Sequence, residues 1–210
     1  RYACCSELKM TDGIGYRDKT ITGIGTFCHE YSHTLGLADL YDTDYEGSGG
    51  ESAGVWIWTS LMDGGNHNNF GNTPPYYNAI EREMLGICEP IRITSDGSYS
   101  LGPLDKTNTV YRIDTDHEDE YYLLECRSGK GWDAYIGGQG MLVYHIDRSD
   151  RSSGYSENYG RVLKAYERWE AANEVNCRPD HQCADLLEAD GRNDIFSHDI
   201  PADISGVFFP

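Results

Sequence analysis

Residues 26–42 read TFCHEYSHTLGLADLYD and set the tightest constraint on how this chain folds. Within them His29, Glu30 and His33 form H-E-x-x-H. At 3.6 residues per turn, positions i and i+4 share one face of an α-helix, so both imidazoles can reach one metal ion while Glu30 stands beside them. The pattern predicts a helix here, with Thr26 as its cap and Gly36 where a helix end favours a left-handed residue. A sharp turn after Leu35 would return Asp39 as a third ligand and leave the fourth tetrahedral position to water. A shuffled chain of this composition shows H-E-x-x-H roughly once in 60 sequences; adding Gly36 and Asp39 lowers that to roughly once in 5,000–6,000, so the long pattern carries the reading.

Composition removes whole classes of partner. Among 210 residues, Asp and Glu total 35 against 17 Lys and Arg, a formal charge of -18. Such a surface repels a phosphate backbone or an anionic bilayer, so no nucleic-acid partner is expected. The length suits one domain or slightly more, and 39% hydrophobic residues with 16 Tyr suffice for a core. No window approaches the ~18 uninterrupted apolar residues of a membrane span, and the first residues hold no signal-peptide core. A start at Arg1 reads as a processed or truncated product. The seven Cys, at 4, 5, 28, 88, 126, 177 and 183, leave at least one thiol unpaired within the chain. Cys177 and Cys183 are spaced to close a small loop, and Cys28 could meet Cys4 or Cys5. One or two disulfides among buried thiols, with the acidic surface, lean towards an exported protein.

Two textures divide the chain. Residues 1–89 are rich in Gly, Asp, Asn and aromatics and enclose two helical segments. From 90 to 147, strand-like runs at 91–94, 110–114, 121–126 and 141–146 alternate with turn signals, which predicts an antiparallel β region. Val162, Tyr166 and Trp169 then fall at i, i+4 and i+7, an amphipathic helix pattern. Residues 173–210 read as loop-rich.

HEYSHTLGLADLYD, the later SLMDGG, and the blocks PPYYNAIEREMLG, EYYLLECR and GQGMLVYHID together resemble the immune inhibitor A family of zinc metallopeptidases, related to the metzincin clan. The resemblance runs from about Tyr2 to near the C-terminus. It implies an α+β, metzincin-like catalytic domain, with residues 1–89 as its zinc-binding part and 90–210 as the β-rich C-terminal part of the same catalytic region. It further implies His29, His33 and Asp39 as zinc ligands, Glu30 as catalytic acid and base, and Met62 in a Met-turn under the metal. Family members are secreted proteinases made as precursors with a propeptide, and they often carry calcium; an extracellular or cell-surface location follows by resemblance. Such domains place much of a twisted sheet ahead of the active-site helix, whereas only 28 residues precede His29. The upstream part is therefore expected on a separate chain, cleaved off, or outside this sequence.

One departure concerns the third ligand, which is His in many metzincins and Asp39 here, with a second carboxylate at Asp42. Both are oxygen donors compatible with zinc. The long spacing favours Asp39, leaving Asp42 to orient a ligand from behind, to bind calcium, or to be solvated. Tyr76 and Tyr77 are the nearest phenols able to donate to an oxyanion, or else packing aromatics. Asp42, Asp44 and Glu46, then Asp114, Asp116 and Asp119, then 190–194 offer closely spaced oxygens, though none matches an EF-hand loop. Glu125, His145 and Asp147 read as strand-end polar residues with no catalytic role. A zinc endopeptidase acting on protein or peptide substrates is the leading expectation. The alternatives are a non-catalytic metal-binding adhesion module and an inactive fragment of such a protease. Three ligands with an adjacent base favour catalysis, because structural zinc sites usually complete four protein ligands.

Overall fold

The computed structural model describes residues 3–10, 19–45, 47, 49, 58–191 and 205–210. It mixes helix and sheet. An antiparallel pair, β1 (Leu8–Met10) and β2 (Lys19–Ile21), leads into α1 (Ile24–Leu35). A 3-10 segment, Gly64–Gly71, and the short helix α2 (Ala79–Met84) follow. The main sheet collects β3 (Ile91–Arg92), β4 (Tyr111–Asp114), β5 (Glu120–Arg127) and β6 (Gly140–Asp147). The hairpin β7 (Gly154–Ser156) and β8 (Arg161–Leu163) stands apart, and β9 (Ala184–Leu187) returns to complete a five-stranded order β3-β4-β5-β6-β9.

The four predicted strands all form, but their pairing is mixed. β4, β5, β6 and β9 pair antiparallel, whereas β3 runs parallel to β4, with Ile91 opposite Tyr111. A parallel pair needs a long connection in place of a tight hairpin, and residues 93–110 supply one. The helix expected over Val162, Tyr166 and Trp169 is also different. Val162 lies in β8 and is exposed, and the helical turn that follows is a wide π form, Glu167–Ala172. That turn buries Arg168 and Trp169 together with Ala165 while Tyr166 is exposed, so its buried face is not the one that 162, 166 and 169 mark out. The seven cysteines are all free thiols, which removes the expected disulfides. Cys177 instead faces the Thr43 hydroxyl at 3.1 Å, and Cys183 is wholly buried.

One continuous core joins both textures. Leu37, Leu40, Met62 and Ile80 from the first half pack with Leu123, Leu142, Tyr144 and Trp169 from the second. β5 and β6 supply it through period-2 alternation, with Tyr121 and Leu123, then Leu142, Tyr144 and Ile146, facing inward. Each such fully buried side chain contributes about 1.5–3 kcal/mol relative to exposure. Among the described residues no helix is long and apolar enough to cross a membrane.

Candidate metal centre

α1 begins two residues before the expected Thr26 cap. Gly23 is its N-cap and offers no side-chain bond. The start is set by close packing: a Cβ on Gly23 would lie 2.2 Å from the Gly71 carbonyl, and one on Gly25 would lie 1.9 Å from the Asn66 oxygen. α1 therefore meets the Gly64–Gly71 segment backbone to backbone. At the other end Gly36 adopts the left-handed conformation (φ 111°), and its N–H donates to the His33 carbonyl at 3.1 Å. The chain then folds back as predicted.

That return brings Asp39 Oδ1 to 3.0 Å from His29 Nε2 and 3.4 Å from His33 Nε2. His29 Nδ1 sits 2.8 Å from the Leu61 carbonyl, and His33 Nδ1 sits 2.9 Å from the Leu37 carbonyl. A carbonyl oxygen only accepts, so each Nδ1 carries its hydrogen and each neutral ring presents an Nε2 lone pair. Two lone pairs and a carboxylate oxygen thus converge in a largely buried spot. Asp39 Oδ1 is itself buried without a properly aligned hydrogen bond. Such convergence calls for a cation, either a proton or a metal. In the metal-free protein it acts on all three groups. Burial opposes charge on His29, but the facing Asp39 carboxylate and the Leu61 carbonyl together outweigh it and lift its pKa. Asp39 lifts His33 against burial as well. Burial favours protonated Asp39, yet His29 and His33 hold its carboxyl well below the usual range. Two imidazoles and one carboxylate, with ligand atoms within 4.8 Å of one another, form a donor set that suits zinc.

The surroundings fix these donors in place. Met62 is fully buried; its N–H donates to Glu81 Oε1 at 2.8 Å, and its carbonyl accepts from Leu40 N at 2.8 Å. Glu81 also caps its own helix reciprocally with Asn78 and accepts from Ser60. Asn173 Nδ2 donates to Asp39 Oδ2 at 2.6 Å, and its Oδ1 accepts from Asp39 N at 2.7 Å. Half-buried Glu30 exerts its charge on His33 and on Tyr41. Tyr41, pushed far up by burial and then by Asp39, lies in the field of this centre. Asn173 and Tyr41 escaped the sequence reading. Nothing local marks an amide 134 positions from its partner, whereas the N-x-x-E capping box at Asn78 could have been found.

The other expected residues lie as follows. Tyr77 pairs its hydroxyl with Ser32 Oγ at 2.6 Å, and the Tyr76 hydroxyl lies beside Gly131. Asp42 stands in a separate group with Asp44 and Cys177. Burial pushes Asp42 up to about 6 and the Cys177 thiol up to about 12, and a protonated thiol is a poor metal ligand. Asp114 is taken up by Arg92 and Arg112. Glu46 and 192–194 lie outside the described residues. His145 pairs with Glu120, Asp147 with His181, and Glu125 with Arg82 and Arg127.

A family model described as the immune inhibitor A peptidase M6 catalytic domain matches residues 12–85. Immune inhibitor A of Bacillus thuringiensis subsp. alesti is 42% identical over 64 residues, which cover 30% of this chain and 9% of that protein. The chain thus spans less than a tenth of that relative's length. No solved structure matches. The stretch that carries His29, Glu30, His33, Asp39 and Met62 is similar to the immune inhibitor A peptidases, and it is through residues 12–85 that this chain resembles their family.

Proposed function

We propose that this protein is a zinc-dependent endopeptidase, metzincin-like in its site, with His29, His33 and Asp39 as ligands and Glu30 as general base. The observation that carries the reading is the convergence of two Nε2 lone pairs and Asp39 Oδ1 while both Nδ1 atoms are anchored to carbonyls. A bound zinc supplies Lewis acidity and draws the pKa of water down towards about 7. Glu30, one residue from His29, takes the proton of the attacking water and hands it to the leaving amine. His29 and His33 keep their rings oriented through Leu61 and Leu37, which excludes the tautomer that would place hydrogen on Nε2. Met62 underlies the centre as the Met-turn residue. Tyr76 and Tyr77, the latter with its hydroxyl on Ser32, are the candidate oxyanion donors, and Tyr41 lies in the field of Asp39 and Glu30.

The substrates are proteins or peptides. Export, synthesis as a precursor with a propeptide or upstream chain, and a calcium ion near Asp42 accompany the reading by resemblance. Residues 1–89 serve as the zinc-binding part and 90–210 as the β-rich remainder of one catalytic region. Metal analysis and fluorogenic-peptide cleavage on one purified sample test it. One zinc per chain and chelator-sensitive cleavage are expected; cleavage that survives complete removal of metal overturns it.

A further inference from the structure

We infer that Asn173 is the positioning residue for the third ligand, resting on the zinc reading of Asp39 above. Its amide spans one residue from both ends. Oδ1 accepts from the Asp39 backbone at 2.7 Å, and Nδ2 donates to Asp39 Oδ2 at 2.6 Å. With Oδ2 held there, the carboxylate cannot rotate about its last bond, and Oδ1 is left towards both imidazoles. Carboxylate ligands rely on such outer partners for orientation.

The backbone of Asn173 is specialised for the task. It closes the Glu167–Ala172 π turn in the left-handed conformation (φ 59°, ψ 42°), with its N–H on the Arg168 carbonyl. Asn tolerates that conformation better than other residues with a side chain, and Asn alone among the well-tolerated types carries both a donor and an acceptor amide. π turns concentrate at functional positions. The turn is anchored from within: Arg168 is buried, with Nε donating to the Glu174 carbonyl and NH1 to the Ser152 carbonyl, and Trp169 is seated in the core. Beyond Asn173, the Asn173 carbonyl accepts from Thr43 Oγ at 2.7 Å, and Asn176 Nδ2 donates to the Leu40 carbonyl at 2.7 Å. The second half of the chain therefore grips the loop that presents Asp39 at Asp39, Leu40 and Thr43, and among the described residues of that half it is the Asn173 amide that hydrogen-bonds the ligand carboxylate itself. Asn173 also lines an open pocket with His33 and Trp169, so it stands between Asp39 and a solvent-accessible face of the centre.

The test measures zinc affinity by competition with a chromophoric chelator, and the visible spectrum of the cobalt-substituted protein, for parent, Asn173→Gly, Asn173→Ala, Thr43→Val and Asp39→Ala. Asn173→Gly keeps the left-handed backbone and removes the amide; Asn173→Ala removes the same amide at a different backbone cost, so either folded variant decides. Zinc binding about 10–100-fold weaker in both, with an altered cobalt spectrum, is expected. Thr43→Val, which loosens the same joint without touching the carboxylate, should bind zinc as the parent does. Parent-like affinity and spectrum in the Asn173 variants, or an equal loss in Thr43→Val, overturns the positioning role. A parent that binds no zinc, or Asp39→Ala binding as tightly as the parent, overturns the zinc reading instead.

Discussion

Two clusters of buried charge sit a short distance apart in this protein, and they differ in whether their partners suffice. In the first, Arg82 donates to Glu125 at 2.8 Å, and Arg127 reaches Glu125 at 3.1 Å and clamps Asp133 through Nε and NH2. Tyr144 donates to the same Glu125, and Tyr76 N to Asp133. Two cations meet two carboxylates, and the remaining contacts satisfy leftover oxygens. In the second, the Nε2 atoms of two imidazoles face one oxygen of a single carboxylate, so three metal-ligating atoms converge with no Arg or Lys among them. Burial and charge are common to both. The difference teaches that a charge-balanced network of cations and carboxylates holds β5 to α2 and the Tyr76 loop, whereas a cluster of imidazoles and one carboxylate is a donor set suited to a metal.

The sharpest way to break this contrast is to remove Asp39. Asp39→Ala should lose zinc on dialysis and all peptide cleavage with it, while Asp42→Ala should retain most of both; the reverse order, read by metal analysis, would move the third ligand to Asp42. Next, Glu30→Gln should keep one zinc per chain and cleave fluorogenic peptide about 10²–10⁴-fold more slowly. Cleavage at the parent's rate would sink its role as base. The paired network should respond in a different currency. Arg127→Met leaves Asp133 without its cation in the interior and Glu125 with Arg82 alone, and should cost about 3–5 kcal/mol in urea unfolding, with zinc affinity per folded molecule unchanged. A matching loss of zinc affinity would show that the two clusters are one.

The smallest effect concerns Asp63, next to Met62, whose carboxyl burial pushes up to about 8. Below its ordinary 3.8, folded and unfolded chains both hold the proton; between 3.8 and about 8 only the folded chain does, so its stability falls as pH rises through that window. Asp63→Asn keeps an oxygen for the Gly64 N–H and should flatten the decline in the metal-free protein, raising Tm at pH 8 by about 2–4 °C for each kcal/mol recovered. An unchanged pH profile would remove Asp63 from the account.

The helix, its Gly36 stop and the meeting of His29, His33 and Asp39 were legible in the sequence because each depends on spacing within a few residues. β5 and β6 were legible for the same reason, their inward residues alternating within one run. The Thr26 cap failed because the helix start is set by contact with Gly71, a neighbour distant in sequence. β9 and the parallel pairing of β3 depend on what lies alongside them, which a two- or four-residue run does not reveal. The helix expected over 162–169 failed because Val162 is taken up by β8 and Tyr166 turns to solvent, leaving Trp169 as the buried member of the three. Asn173, which holds Asp39 from 134 positions away, carries no mark until the two halves are packed together.

The backbone contact at Gly25 acts as a mechanical stop. A helix that rests on its neighbour through side chains can slide or roll as they change rotamer, but one that rests on main-chain atoms has a single seated position. Gly25 lies one turn before His29 on the same face, and Leu61, which orients the His29 ring, leads directly into the segment that Gly25 touches. Any side chain at position 25 would lift the helix from its seat and carry the imidazole away from Leu61, so the tolerance of the metal centre is set by a residue that holds no ligand atom.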